Sequence, residues 1–190
     1  MGKDWDEKGT PGRQGQAEKG EAPMNITLEP LAAEHLPDLT ALWSDPAVIR
    51  WTNIPHLCGR EEAAYRLDQL RKHQAALPGP TIYAVLRNGK FCGIAGCPPV
   101  DTAQGTFGLF YQLLPEAWGR GVGTAAAKLA LEALTCRFSV STVYADVAAG
   151  NAASIRILER LGFQRTAVRT GAFQRDGRMM DIWDYARTFV

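Results

Sequence analysis

The stretch Pro115-Glu-Ala-Trp-Gly-Arg-Gly-Val-Gly-Thr124 places three glycines at alternate positions between an apolar run and an alanine-rich segment. Glycine adopts positive φ and lets a ligand approach the backbone, and the first amides of a following helix are unpaired donors at the positive end of its dipole. The spacing differs from the Gly-x-Gly-x-x-Gly of dinucleotide folds, and no Gly-Lys-Ser/Thr follows. The stretch predicts a loop that holds an anion such as pyrophosphate. A strand-to-helix turn without a ligand is the alternative.

Composition narrows the class of protein. The chain has 190 residues, 46% of them hydrophobic and 22% charged, which favours one globular domain. A formal net charge of +1 argues against nucleic acid or an anionic membrane as a partner. No apolar run approaches the ~20 residues of a membrane span, and no signal-peptide pattern is evident, so we expect a cytoplasmic protein.

The four cysteines are Cys58, Cys92, Cys97 and Cys136. They have neither metal-ligand spacing nor the density of a disulfide scaffold. We therefore expect reduced cysteines and no metal site.

Patterning along the chain predicts a mixed α/β fold. Residues 1–23 have the composition of a disordered extension, and residues 24–190 form the predicted single domain. Apolar periodicity predicts strands at 26–28, 81–87, 90–95, 106–114, 142–147, 164–173 and 179–189, and helices at 34–43, 60–75, 124–137 and 152–161. Asn88-Gly89 and Asp176-Gly177 predict type I′ hairpin turns.

A second motif follows the glycine loop: Asn151-Ala-Ala-Ser-Ile-Arg-Ile-Leu-Glu-Arg-Leu-Gly-Phe163. Together the two motifs resemble those of the GNAT N-acetyltransferases, over about residues 26–187. Both required glycines of the family's first motif match Gly121 and Gly123, whereas Trp118 occupies its first position. With a tryptophan at this position, the segment resembles that of the subgroup that acetylates ribosomal-protein alanine or serine N-termini. The segment Trp43-Ser-Asp-Pro-Ala-Val-Ile-Arg-Trp51 also resembles that subgroup's Asp-Pro-x-Val motif.

The resemblance implies a GNAT fold, in which helices flank a mixed, mostly antiparallel sheet and two central strands splay apart. It implies acetyl-CoA as co-substrate, with backbone amides of the loop around the pyrophosphate and a strand edge along the pantetheine arm. The residues implied in cofactor binding are Leu113, Leu114, Trp118, Gly119, Arg120, Gly121, Val122, Gly123, Thr124, Asn151 and Ser154. From the residues alone, Asn151 is equally well explained as a helix N-cap.

The catalytic groups are less well defined by the sequence. Many family members use a tyrosine in the second motif as general acid, and Leu158 stands at that position here. Ser154 is our candidate for the acid, because a serine of this motif can reach the sulfur in the subgroup. Glu116 and Tyr111 are candidates for the base that deprotonates the amine. Each of the three also has a structural explanation as a helix, loop or core residue.

The resemblance also implies where the acceptor lies, between residues 43–58 and the hairpin at 173–180, with Trp51 and Phe173 as walls. The expected function is acetyl transfer to a primary amine, most specifically a protein N-terminal α-amino group. A small-molecule amine such as a drug or polyamine is the first alternative, and a non-catalytic CoA-binding sensor is an alternative of another class. Sequence leaves open whether the protein is a monomer or a homodimer.

Overall fold

The structure is a computed structural model and describes residues 24–189, so the predicted disordered extension at 1–23 lies outside the described residues. The strands are β1 (Ile26–Pro30), β2 (Ile82–Arg87), β3 (Lys90–Gly96), β4 (Pro99–Asp101), β5 (Thr106–Gly108), β6 (Phe110–Leu113), β7 (Thr142–Ala148), β8 (Gln164–Arg175) and β9 (Arg178–Thr188). The α-helices are α1 (Leu36–Trp43), α2 (Pro46–Ile49), α3 (Arg60–Ala75), α4 (Val122–Thr135) and α5 (Ala152–Arg160). Short 3-10 turns cover Ala33–His35 and Pro115–Ala117.

The strands form two sheets in the orders β1-β2-β3-β6 and β4-β5-β7-β9-β8. All described pairings are antiparallel except β5 with β7. Strand β6 pairs with β3, and β7 pairs with β5 and β9, so the facing edges of β6 and β7 diverge. The predicted mixed α/β fold with splayed central strands is confirmed.

Both predicted hairpin turns are present. Asn88 and Gly89 have φ values of 51° and 76°, and Asp176 and Gly177 have φ values of 52° and 71°. Positive φ at both central positions is the signature of a type I′ turn, whose twist matches that of the flanking strands. Helix α3 also has the predicted bounds.

The predicted strand at 106–114 is wrong as one element, because it divides at Leu109. The Leu109 amide donates to the Tyr144 carbonyl at 2.7 Å, which keeps β5 in the second sheet, and the chain then crosses to pair with β3. This bend creates the separation between β6 and β7. Helix α2 and strand β4 were not predicted, and α4 begins two residues before the predicted start at Thr124.

Helices cover both faces of the first sheet. Strand β6 alternates between them: Phe110 and Leu114 pack with the core that α1 and α3 form, whereas Leu113 packs with the first turn of α4. We call these the α1–α3 side and the α4–α5 side. Because β6 has no described strand partner along its second edge, a passage connects the two sides. In the described residues, no helix is long and apolar enough to cross a membrane.

Candidate active site

A cavity of about 730 Å³ fills the space between β6 and β7. Residues from β6, β7, α3, α5, the segment after α1 and the β8–β9 hairpin line it. Of the residues nominated from sequence, the cavity brings together Trp51, Tyr111, Leu113, Trp118, Asn151, Ser154 and Phe173. It therefore joins segments that are more than a hundred residues apart in the chain.

The backbone of β6 presents one edge to this cavity. The Leu114 amide donates to the Cys92 carbonyl at 2.9 Å, on the side of β3. Because pairing alternates along an antiparallel strand, the backbone groups of Tyr111 and Leu113 face the opening. The Leu113 carbonyl accepts from Trp118 Nε1 at 2.7 Å, and Leu114 instead packs on the α1–α3 side. Leu113, rather than Leu114, has its amide directed toward the cavity.

The glycine loop provides the unpaired donors expected from sequence. Gly119 and Gly121 have φ values of 70° and 79°, and Gly121 is the N-cap of α4. The first backbone bond of the helix runs from the Ala125 amide to the Gly121 carbonyl at 3.0 Å, so the amides of residues 122–124 precede the helical ladder. These donors and the positive end of the helix fit a pyrophosphate, with Arg120 in the same loop.

Gly123 has a different role, which is close packing. A Cβ there would lie 2.8 Å from Ile157 Cδ1 and 3.4 Å from Leu113 Cδ1. The absence of a side chain lets α4 approach α5 and β6 together. The third glycine therefore sets the position of the first turn of α4 beside the cavity.

Asn151 and Ser154 lie at the start of α5. Asn151 is the N-cap, and its Oδ1 accepts from the Ser154 amide at 3.2 Å. The side-chain NH₂ of Asn151 keeps two donors for another partner, so capping and ligand binding are compatible. Ser154 Oγ lies 2.8 Å from the Tyr111 hydroxyl, which also donates to the Ser154 carbonyl at 3.2 Å.

Burial raises the pKa of Tyr111 to about 12, although its hydrogen bond with Ser154 acts in the opposite direction. A phenol with this pKa remains protonated at neutral pH. Tyr111 is therefore a proton donor in the site's resting state. Glu116, the other candidate base, is exposed on the turn before the loop and does not line the cavity.

Side chains rather than backbone form the α1–α3 side of the cavity. Trp43 Nε1 donates to Gln112 Oε1 at 2.8 Å, which fixes an amide on the wall. Trp51 lies over Gly150, where a Cβ would be 3.3 Å from its ring. Within residues 24–189, Asp146 is the one carboxylate and Arg66 the one cation among the lining residues. This side is therefore neither strongly acidic nor strongly basic.

Arg175 connects the two segments that border this side. Its Nη2 donates to the carbonyls of Thr52 and Ile54, each at 2.7 Å, and its Nη1 donates to that of Pro55 at 3.2 Å. The guanidinium also lies over the ring of Phe173, 5.6 Å from its centroid. One side chain thus holds the segment after α2 against the β8–β9 hairpin.

Sequence reasoning did not single out Arg66, Gln112, Asp146 or Arg175. Their positions depend on contacts between distant segments, and no local motif marks them. The apolar periodicity of Ala64, Leu67 and Leu70 predicted helix α3 as a surface helix, and it gave no reason to expect Arg66 at a site. In the described residues, no group of three His, Cys, Asp or Glu side chains could hold a metal ion.

Comparison with known proteins agrees with this geometry. The family described as acetyltransferase (GNAT) domain matches residues 25–164. The chain therefore belongs to the GNAT acetyltransferase family and is an acetyl-CoA-dependent N-acetyltransferase.

One sequence relative and two solved structures illustrate the similarity. An uncharacterized N-acetyltransferase p20 from Bacillus licheniformis is 23% identical over 85% of this chain and 91% of its own. The crystal structure of a ribosomal-protein-alanine N-acetyltransferase from Brucella melitensis has a TM-score of 0.71 at 23% identity, covering 86% of this chain and 99% of that one. A ribosomal L7/L12 α-N-protein acetyltransferase in complex with coenzyme A has a TM-score of 0.75 at 18% identity, covering 86% and 93%.

Proposed function

We propose that this enzyme acetylates the N-terminal α-amino group of a protein, in the manner of the ribosomal-protein N-acetyltransferases whose fold it resembles. The observation that carries the proposal is the composition of the α1–α3 side. Among the described residues, the whole cavity is lined by one carboxylate, Asp146, which already accepts from Arg169 Nη2 at 3.3 Å, together with aromatic rings and amide groups. The α1–α3 side therefore has at most that one carboxylate. A polyamine or polycationic drug would need several carboxylates, whereas a peptide needs hydrogen-bond donors and apolar surface.

On the α4–α5 side, the amides of Val122, Gly123 and Thr124 bind the pyrophosphate of acetyl-CoA, with Arg120 adding positive charge. The edge of β6 binds the amide-rich pantetheine arm as a peptide strand would bind a sheet. Leu113 contributes its amide there, and Asn151 contributes its side-chain NH₂. Acetyl-CoA supplies an activated acyl thioester at the passage between the two sides.

The residues at the passage serve the transfer in complementary ways. Backbone amides of β6 donate to the carbonyl oxygen as negative charge develops on it. Ser154 donates a proton to the departing sulfur and takes one from the Tyr111 hydroxyl, 2.8 Å from Ser154 Oγ. Solvent returns a proton to Tyr111 and accepts the proton that the amine loses, so the transfer leaves both side chains in their starting state. This arrangement takes the role of the tyrosine that many family members have at the position of Leu158. Leu158 itself is a fully buried core residue and has no proton to donate.

Removal of the amine proton needs little assistance for an α-amino group. Its pKa of about 8 leaves roughly a tenth of the molecules deprotonated at pH 7, compared with far fewer for a lysine amine of pKa about 10. Tyr111 is protonated and unsuited to this role. Glu116 is exposed, so it acts only through intervening water in this proposal.

Calorimetric titration with acetyl-CoA, followed by measurement of thiol release, tests the proposal. The acceptor panel contains peptides with free N-termini, the same peptides with blocked N-termini, spermidine and simple alkylamines. Peptide-dependent thiol release that N-terminal blocking abolishes is the expected result. Release with spermidine but no peptide would favour a small-molecule acetyltransferase, and binding without any release would favour a CoA sensor.

A further inference from the structure

Helix α3 contributes one face to the α1–α3 side of the cavity. Tyr65, Arg66, Gln69 and Leu70 all line it. Positions three and four apart lie on the same helical face, so this group follows from the spacing along α3. Among these four residues, Arg66 has the one charged side chain.

Glu62, on the same helix, holds the Arg66 side chain in place. Its Nε and Nη2 donate to Glu62 Oε1 at 3.2 and 2.8 Å, one helical turn earlier. The other oxygen of Glu62 lies 2.9 Å from His56 Nε2. The hydrogen bond from Arg66 lowers the pKa of Glu62, so that carboxylate stays ionised and keeps the guanidinium oriented. Glu62 therefore acts as a positioning residue.

The guanidinium has five N–H donors in a fixed plane and no acceptor, and Glu62 accepts two of them. The side chain is 31% exposed, so it reaches solvent in the cavity. On the same side, Gln112 gives its oxygen to Trp43, which leaves its NH₂ to donate. Both polar groups are thus complementary to oxygen acceptors rather than to ammonium groups.

We infer that Arg66 determines acceptor specificity by donating to a backbone carbonyl oxygen of a peptide acceptor, an inference that rests on the proposed N-terminal acetylation. A peptide has a carbonyl two bonds from its α-amino nitrogen and another at each following residue. A simple alkylamine has none. Arg66 thereby selects peptides over small amines, and the Arg66–Glu62 pair, being neutral overall, does not repel the incoming amine.

Steady-state kinetics with two acceptors tests this role: a short peptide amide, and its analogue in which the first two peptide bonds are replaced by uncharged trans-alkene isosteres that have no carbonyl oxygen. For Arg66→Met, we expect KM for the peptide to rise about tenfold while kcat stays within about twofold, because a hydrogen bond to a charged donor is lost. KM for the analogue should not change. For each acceptor, KM of the variant is divided by KM of the wild type, so that a difference in amine pKa between the two acceptors cancels.

Three further variants separate recognition from structure. Arg66→Lys should restore part of the peptide affinity, and Glu62→Gln should raise peptide KM by a smaller factor. Arg71→Met, on an exposed position of the same helix, should behave as wild type. Equal losses with both acceptors would indicate a structural role and overturn the inference.

The outcome also distinguishes this inference from the proposed function. A wild-type enzyme that acetylates peptides with a KM indifferent to Arg66→Met would overturn the inference alone. A wild-type enzyme that acetylates small amines and no peptide would overturn both.

Discussion

The two sides of the cavity differ in what they are made of. The α4–α5 side presents mainly backbone: the edge of β6, which lines the cavity, and beside it the loop with the left-handed Gly119 and Gly121 and the first amides of α4. Residues 119–124 are not among the lining residues of the cavity. The α1–α3 side consists of side chains from α1, α3, the segment after α2 and the β8–β9 hairpin. A family that keeps one co-substrate and changes acceptors benefits from this division, because side chains vary without altering a backbone site.

The difference extends to how each side is held. Glycine conformation and the pairing of β6 with β3 fix the α4–α5 side, so its geometry depends mainly on backbone interactions. Long-range side-chain bonds fix the α1–α3 side, such as those from Arg175 to the carbonyls of Thr52, Ile54 and Pro55. We therefore expect substitutions to affect the two sides separately, unless they move β6 itself.

The largest effect is expected where both sides share a support, at Gly93 in β3. A Cβ there would lie 2.2 Å from the Gln112 carbonyl oxygen and 2.8 Å from Leu113 Cα, at a φ of 152°. Gly93→Ala must displace β6 from β3, and we expect the free energy of unfolding to fall by about 3 kcal/mol or more. Urea unfolding measures this change.

Gly59→Ala is the control, because no described atom lies within 4 Å of a Cβ at that position. As an N-cap substitution it should cost about 1 kcal/mol or less. Equal stability of the two variants would show that β6 accommodates a shift, and would contradict its role as a rigid common support.

The next effect is confined to the α4–α5 side. Ser154→Ala removes the proposed donor to the sulfur, and we expect kcat to fall about a hundredfold while the affinity for acetyl-CoA changes less than about threefold. Tyr111→Phe should lower kcat by a smaller factor, about tenfold, because the serine hydroxyl remains. Thiol-release kinetics and calorimetry measure the two quantities.

Ser139→Ala, at an exposed position, provides the matched serine control. If kcat of Ser154→Ala equals that of this control, the sulfur receives its proton from another group. If the affinity for acetyl-CoA falls as far as kcat, Ser154 has a binding role instead.

The third effect belongs to the α1–α3 side. Arg175→Met removes three hydrogen bonds to backbone carbonyls and loosens the segment after α2. We expect KM for the acceptor to rise about tenfold and the affinity for acetyl-CoA to stay within about twofold. Arg178→Met, exposed at the start of β9, is the control. A parallel loss of acetyl-CoA affinity would show that the two sides are coupled through the hairpin.

The same division explains what the sequence could predict. Glycine and asparagine have specific backbone preferences, so the type I′ turns and the loop at 115–124 were predictable from local residues. The bend at Leu109 was not predictable, because the mostly apolar residues 106–114 fit a single strand and the bond from Leu109 to Tyr144 joins distant segments. The short β4 has too few residues for a periodic pattern. Helix α2 does begin with a helix-start signal, Asp45 as N-cap and Pro46 at its first position, but its four residues have no apolar periodicity from which to predict it.

Among site residues, most candidates on the α4–α5 side came from two contiguous motifs, the loop at 115–124 and the segment at 151–163. Arg66, Gln112 and Arg175 have no such motif, and their roles follow from which segments the fold brings together. Trp51 and Phe173 were expected from the resemblance alone, and both line the cavity. Side-chain sites assembled from separate segments are the part of a structure that local sequence reasoning determines least.

The smallest expected effect is a difference in the order in which the cysteine thiols react. This order reports the local stability of the two sides. Cys136 is exposed and should react at once with a thiol reagent, whereas Cys58, Cys92 and Cys97 are buried. Burial raises the pKa of Cys92 to about 11 and that of Cys97 to about 12. Both lie on or next to β3, which pairs on both edges, while Cys58 lies in the loop before α3. We expect Cys58 to react before Cys92 and Cys97, with peptide mass spectrometry following each site.

The pH dependence of stability follows from the same pKa shifts. A buried thiol whose folded-state pKa lies above its ordinary value of 9.0 contributes full stability below about pH 9. That contribution is lost as pH rises toward the folded-state pKa values of about 11 and 12 for Cys92 and Cys97, so alkaline unfolding should expose them together.

Arg175→Met should accelerate the reaction of Cys58 with the thiol reagent and leave that of Cys92 unchanged. Equal acceleration at both cysteines would mean that the two sides open as one cooperative unit, and that their difference in construction has no counterpart in local stability.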